Sequence, residues 1–184
     1  SKKIGKEKVI WRYDPIILTD KYDLNFHKKK FDEMVEQLAP YTNRCAISFV
    51  DLYKKTQRNM STIKYVEFTT EKMWEVAAEF SKISIGAGVE LQTCSENIDL
   101  SDLGITHTKC IDDELIGRIV GQKLHIDKDK NQRMECGCVE SVDIGAYNTC
   151  KHGCRYCYAN FSDKTVANNI TKHDDASPFL IGND

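Results

Sequence analysis

The chain reads as an α/β protein, a partial (βα) TIM-like barrel in which parallel strands alternate with helices and a cysteine-rich loop lies near the C-terminal end. Three observations predict this. Apolar, β-branched runs alternate with segments of helical period at intervals of roughly 40 residues, the pattern of repeated βα units. The run Cys45-Ala-Ile-Ser-Phe-Val-Asp51 is apolar almost without a break, as strands buried on both faces of a parallel sheet are. Third, 184 residues fall short of the roughly 250 that an eight-stranded barrel needs. The expectation is therefore the back portion of a barrel whose front portion is encoded upstream.

The elements follow in order. Ser1-Lys-Lys-Ile-Gly5 reads as the end of a helix with its glycine stop. Val9-Ile-Trp-Arg-Tyr-Asp14-Pro15 is a strand closed by proline, and side-chain alternation puts Arg12 and Asp14 on one face. Phe31, Met34, Val35 and Leu38 recur at helical spacing and predict a helix over 25–39, ended by Pro40. The apolar run from Cys45 is the second strand. A polar connection over 54–62 and a short strand over 63–68 come next. Thr70 is the expected cap of a helix whose stripe is Met73, Trp74, Ala77, Ala78 and Phe80, stopped by Gly86 and Gly88. Val89-Glu-Leu-Gln-Thr-Cys94 is a third strand with Glu90, Gln92 and Cys94 on one face. Asp112 caps a short helix carrying Leu115, Ile116, Ile119 and Val120, with Gly121 as its stop. Residues 122–135 are polar loop, 138–145 read as the fourth strand, and the cysteine loop follows it directly. The domain so defined covers 1–162, with a polar tail over 163–184 that lacks periodicity.

Composition narrows the function classes. Lys and Arg number 26 against 28 Asp and Glu, a formal charge of −2, so there is no general attraction to nucleic acid or an anionic membrane. No apolar run approaches the roughly 20 residues of a membrane-spanning helix. Five of the eight cysteines lie between Cys136 and Cys157, which suits a metal in a reducing cytoplasm better than a disulfide network. His27, His107, His125 and His173 show no metal spacing and are assigned to surface or loops.

Cys150-Lys-His-Gly-Cys154-Arg-Tyr-Cys157-Tyr carries the chemistry. Spacings of three and then two residues let one tight loop aim three sulfurs at a common point. Thiolates are soft ligands for zinc, copper(I) and iron–sulfur clusters, and three ligands leave one position open to a small molecule. A structural zinc on Cys136, Cys138, Cys154 and Cys157, with His152 to spare, is the rival reading, and it leaves Cys150 without a role.

This loop, with Tyr156 before the last cysteine, resembles the cluster loop of radical S-adenosylmethionine enzymes, and its wording from Tyr147 to Ala159 is similar to that of the spore photoproduct lyase-like branch. Across the chain, Val9-Ile-Trp-Arg-Tyr-Asp-Pro, Ser48-Phe-Val-Asp-Leu-Tyr53, Cys110-Ile-Asp, Gln132-Arg133 and Cys136-Gly-Cys138 resemble the family called domain of unknown function 1848. The resemblance implies that Cys150, Cys154 and Cys157 ligate three irons of a 4Fe-4S cluster, with S-adenosyl-L-methionine chelating the fourth and being cleaved to a 5′-deoxyadenosyl radical. It also implies a reductant such as flavodoxin or ferredoxin, a missing N-terminal portion of the barrel, and Tyr156 and Tyr158 as a cover over the cluster. The loop follows the last identified strand, so a permuted barrel is implied. The lyase likeness suggests DNA, which the charge balance does not support. The substrate stays open. An electron-transfer protein that does not cleave S-adenosylmethionine and a zinc-stabilised binding module are the alternatives.

Arg12, Asp14 and Cys94 are the catalytic candidates, since all three fall at strand ends, where barrel enzymes keep their pockets. For Arg12 and Asp14 the alternative is an internal ion pair; for Cys94, Cys110, Cys136 and Cys138 it is packing. Asp51, Glu96 and Asp143 also fall at or near predicted strand ends.

Overall fold

Aromatic stacking on one side of a small parallel sheet organises the larger part of the protein, whose computed structural model describes residues 1–182. Two compact units emerge. Unit 1 comprises Ser1–Val50 and Tyr65–Ser141, and unit 2 comprises Asp51–Lys64 and Val142–Asp184.

In unit 1, β1 (Ile10–Ile16), β2 (Arg44–Phe49), β3 (Glu90–Cys94) and β4 (Thr106–Thr108) form one sheet in the order β1-β2-β3-β4, every pair parallel. Helix α1 (Leu24–Leu38) connects the first two strands, and helix α3 (Thr70–Ala87) leads into β3. Strand–helix alternation is as the sequence predicts. The sheet is open, and closure into a TIM-like barrel is not seen.

One face of this sheet makes the core. Trp11 and Tyr13 project from β1 beside Cys45, Ile47 and Leu91, and α1 and α3 cover them with Phe31, Val35, Val76 and Phe80. Phe31 and Phe80 stack with centroids 4.0 Å apart, and Trp11 stacks on Phe31 at 5.1 Å, adding to the gain from apolar burial. Cys45 is fully buried in this layer, as expected, and burial pushes its thiol up to about 12. The stripe of α3 is shifted from the predicted one, since Trp74 is exposed while Val76, Ser81 and Ser84 are buried. Thr69 rather than Thr70 caps this helix, accepting the Lys72 N–H, and Gly88 ends it at φ +68. His27, expected at the surface, is buried in α1. Its Nε2 donates to the Ile17 carbonyl, which leaves Nδ1 to accept from Tyr13 Oη at 2.8 Å.

The fourth strand is where the reading fails. Residues 138–145 form no strand; Val139 makes one isolated bridge to Lys128, while Val142 and Ile144 are exposed, so that run has no apolar face to bury. Thr106–Thr108 takes the fourth place instead. It has no apolar signature of its own, but buried Ile105 and Leu100 anchor it against the edge of β3. Helix α4 (Asp113–Val120) forms as predicted, with Asp112 accepting the Glu114 and Leu115 N–H groups and Gly121 ending it. Only Leu115 of its predicted stripe is buried. Before β1, a turn and a 3-10 helix over Lys6–Lys8 replace the expected helix end.

Unit 2 holds helix α2 (Lys54–Met60) and helix α5 (Asp163–Thr171). Both correct the sequence reading. The connection over 54–62 is mostly helix because Thr56 and Met60 share one face and are buried. Residues 63–68 form no strand; Tyr65, in unit 1, makes one isolated bridge to Thr19. The tail begins as a helix capped by Ser162, with Val166 and Ile170 four residues apart on its inner side. Residues 183 and 184 of that tail lie outside the described residues.

Candidate functional site

The first group of chemistry-bearing residues sits at the C-terminal edge of the sheet in unit 1. Arg12 and Asp14 occupy the face of β1 opposite the aromatic core. Their side chains pair through Arg12 Nε, 2.9 Å from Asp14 Oδ2, and through Nη2. The free edge of the guanidinium turns to sulfur, with Arg12 Nη1 3.1 Å from Cys110 Sγ. Cys94 ends β3, and its Sγ lies 3.3 Å from that of Cys110. Parallel register explains the meeting. Cys94 stands opposite Thr108 in β4, so Cys110 falls two residues past the paired edge.

A third sulfur holds the turn. The backbone N–H groups of Cys110 and Ile111 both donate to Cys138 Sγ, at 3.2 and 3.4 Å. Cys136 and Cys138 are buried, as the packing alternative expects, and burial pushes the Cys136 thiol up.

Electrostatics separate the two outer thiols. The hydrogen bond with Cys110, joined by Arg12, outweighs burial and draws Cys94 down to about 6. The same contact, followed by burial, pushes Cys110 up. Burial works against the Arg12 charge, but the neighbouring thiols and Asp14 keep it firmly protonated. The catalytic candidates Arg12, Asp14 and Cys94 are therefore brought together, and the ion pair weighed against a catalytic role for Arg12 and Asp14 is present as well. Glu96 accepts the Phe49 N–H at 2.8 Å, and Asp143 accepts that of Gly145, so these two support local backbone.

The same polar face of the sheet opens nearby into a hollow of about 440 Å³ lined by Arg44, Gln92, Thr108, Lys109 and Asp112. Arg44 Nη1 reaches Asp112 Oδ2 at 3.3 Å.

The second group belongs to unit 2. Residues 148–161 form a loop tied at its neck by asparagines. Asn148, at φ +59, donates its N–H to the Ala159 carbonyl at 3.0 Å and accepts the Phe161 N–H on Oδ1. Asn160 Nδ2 donates to the Cys150 carbonyl at 2.7 Å, and Asn169 Nδ2 of α5 donates to the Asn148 carbonyl at 3.1 Å. Tyr147 and Phe161 pack at 5.8 Å beside the neck. Inside the loop, Gly153 at φ +65 supplies a left-handed turn and the Cys157 N–H donates to the Cys154 carbonyl. The spacing of the cysteines does not point to these asparagines; the signal the sequence carries for them is four Asn between 148 and 169.

Cys150, Cys154 and Cys157 are free thiols, the first two exposed and the last half-buried, with Tyr156 and Tyr158 on either side of Cys157. This donor set has the chemistry a 4Fe-4S cluster takes from a protein. Among the described residues, no three His, Cys, Asp or Glu side chains are gathered closely enough to hold one metal ion. The loop does not follow a strand end directly, contrary to expectation, because β4 lies far upstream in the chain. Arg12, Asp14 and Cys94 fall in one unit and the loop cysteines in the other.

The fold and these groups define a parallel α/β protein with an asparagine-tied three-thiol loop. Residues 1–159 match the family described as domain of unknown function (DUF1848), and the chain belongs to that family. The matched span takes in Arg12, Cys94, Cys110 and all three loop cysteines. No curated protein and no solved structure matches the chain. Among the described residues no helix is long and apolar enough to cross a membrane.

Proposed function

We propose that this protein binds a 4Fe-4S cluster on Cys150, Cys154 and Cys157 and that it acts as a radical S-adenosylmethionine-type enzyme. One observation supports the reading above all others. Three free thiols at spacings of three and two lie on a single loop whose neck is hydrogen-bonded shut. A bound cluster would supply one-electron chemistry at an iron the protein leaves unligated. The chain's own residues do the rest. The Asn148 and Asn160 bonds hold the two ends of the loop together, so three thiols are presented at a lower entropy cost than on a free segment. Tyr156 and Tyr158 are positioned in sequence to shield a group held by Cys157 from water, which tunes a cluster's potential.

The polar face of the sheet, bearing Arg12, Arg44, Glu90 and Gln92, has the character of the inward face of a (βα) barrel, and we read it so. The cytoplasm, where thiols stay reduced, is the compartment this chemistry suits, with a flavodoxin or ferredoxin as electron donor.

Anaerobic reconstitution with iron and sulfide tests the proposal. About four irons and four sulfides per chain are expected, with loss of the cluster in Cys150→Ser, Cys154→Ser and Cys157→Ser. Zinc bound without sulfide overturns the cluster and favours the binding module. Reduction of the loaded protein with S-adenosylmethionine is expected to release 5′-deoxyadenosine. A fully loaded protein that releases none is an electron carrier.

A further inference from the structure

We propose that Cys94 and Cys110 are a reversible dithiol–disulfide couple that reacts with low-molecular-weight disulfides. The inference stands apart from the cluster reading, since it uses none of the loop cysteines.

Geometry carries it. The two sulfurs are 3.3 Å apart, so closing to the roughly 2.05 Å of a disulfide asks for a movement of only about 1.3 Å. Cys94 is the last residue of β3, and Cys110 sits on the turn beyond β4 that Cys138 holds through two N–H bonds. Ser95, at φ +56, turns the chain away immediately after Cys94 and leaves its sulfur at the sheet edge. Cys110 is exposed and Cys94 half-buried, whereas Cys45, Cys136 and Cys138 are buried. A half-buried nucleophile with an exposed partner is open to a small disulfide more readily than to one carried on a protein surface.

The charge arrangement suits the reaction. Arg12 touches Cys110 Sγ and favours one thiolate in the pair, while the other sulfur keeps its proton and donates it across the short contact. Cys94 is the group drawn towards the thiolate, by the Cys110 hydrogen bond and by Arg12. In the first step the Cys94 thiolate attacks one sulfur of the small disulfide RS–SR. That S–S bond breaks, a mixed disulfide Cys94–S–SR forms, and RS⁻ leaves and takes up a proton. In the second step Cys110 loses its proton to solvent and attacks Cys94 Sγ, forming the internal bridge and expelling the second RS⁻, which is protonated in turn. Two protein thiols are oxidised, one small disulfide is reduced, and two RSH are released.

The test uses the reduced 184-residue chain, titrated anaerobically with oxidised glutathione, quenched by alkylation and mapped by mass spectrometry. The Cys94–Cys110 bridge is expected at least ~10-fold faster than any other cysteine pair, with loss of two hydrogens and release of two reduced glutathiones. Cys110→Ser is expected to trap glutathione on Cys94, and Cys94→Ser to form no bridge. The same bridge is expected when Cys150, Cys154 and Cys157 are all replaced by Ser, which separates this result from the fate of the cluster. If the unaltered chain keeps Cys94 and Cys110 as free thiols while glutathione consumes other cysteines, or if either bridges instead to Cys138, the proposal falls. That arm needs no variant to fold.

Discussion

Replacing Asn148 probes whether the neck of the cysteine loop governs the loop's order. Asn148 sits at φ +59 and its side chain accepts the Phe161 N–H. An alanine there meets two costs. The left-handed conformation, which asparagine tolerates through local hydrogen bonding of its short side chain, costs alanine about 1–2 kcal/mol, and the lost, partly solvated hydrogen bond costs about 0.5–1 kcal/mol net. Together these favour opening of the neck by about 1.5–3 kcal/mol, or roughly 10- to 140-fold at 1.4 kcal/mol per tenfold. Glycine adopts the same φ freely and forfeits only the side-chain bond, so Asn148→Gly should open the neck by only about 2- to 5-fold. The backbone bonds of residue 148 to Ala159 and Asn169 survive in both variants. Native-state hydrogen exchange at the amide of residue 148 reads the opening directly. Equal exchange in the two variants, or a harmless alanine, would refute a neck built on a left-handed asparagine.

Two further outcomes follow from unit 1. Asp112 caps α4 through two N–H bonds at 3.0 Å and pairs with the largely buried Arg44. Asp112→Ala should cost about 3–5 kcal/mol in urea unfolding, mostly from leaving the Arg44 charge uncompensated. Asp112→Asn keeps the cap and should cost less; a loss under about 1 kcal/mol for the alanine variant would remove the pair from the stabilising interactions. Cys94, drawn down to about 6 by the Cys110 hydrogen bond and then by Arg12, should titrate well below an ordinary thiol at about 8.5. The thiolate is the reactive form and is populated above its pKa, so iodoacetamide labelling of Cys94 should climb through about pH 6 and then level off. Arg12→Gln should move that rise to higher pH. A rise centred near 8.5 in the unaltered chain would contradict the arrangement.

What could be read from the chain alone divides by the kind of signal each element carries. The sheet's first three strands announce themselves as β-branched apolar runs, and α1, α3 and α4 by caps and period, because each buries its own apolar residues or closes its own N-terminus. Helices α2 and α5 carry no such signal, for the opposite reason. Their buried positions are Thr56 with Met60, and Val166 with Ile170 half-buried, too few apolar side chains to set a period. The loop cysteines were legible because spacing along the chain is itself the signal. The bonds that tie the loop were not, since Asn148, Asn160 and Asn169 act across a fold in the chain.

The sheet-edge site shows most clearly how one misplaced strand hides chemistry. Cys94 and Cys110 are separated in sequence by a buried Leu100, a 3-10 turn over Ser101–Leu103 and the three polar-looking residues of β4. Thr106-His107-Thr108 carries no apolar run, and only Thr108 of the three is buried. The strand forms because the edge of β3 offers a parallel partner and Ile105 is buried just before it, a tertiary effect that outweighs local preference. With the fourth strand placed at 138–145 instead, Cys110 lies after a strand end with no register to bring it to Cys94, and Cys138 becomes a strand residue. With the strand at Thr106–Thr108, the register Cys94 opposite Thr108 brings Cys110 to Arg12 and to the Cys94 sulfur, and Cys138 becomes the acceptor that fixes the turn. The convergence of Arg12 with two thiols is thus a consequence of strand register, and it is as robust as that pairing. A substitution that weakens β4 at Ile105 should loosen the thiol pair before it disturbs the aromatic core around Phe31 and Phe80, which rests on α1 and α3.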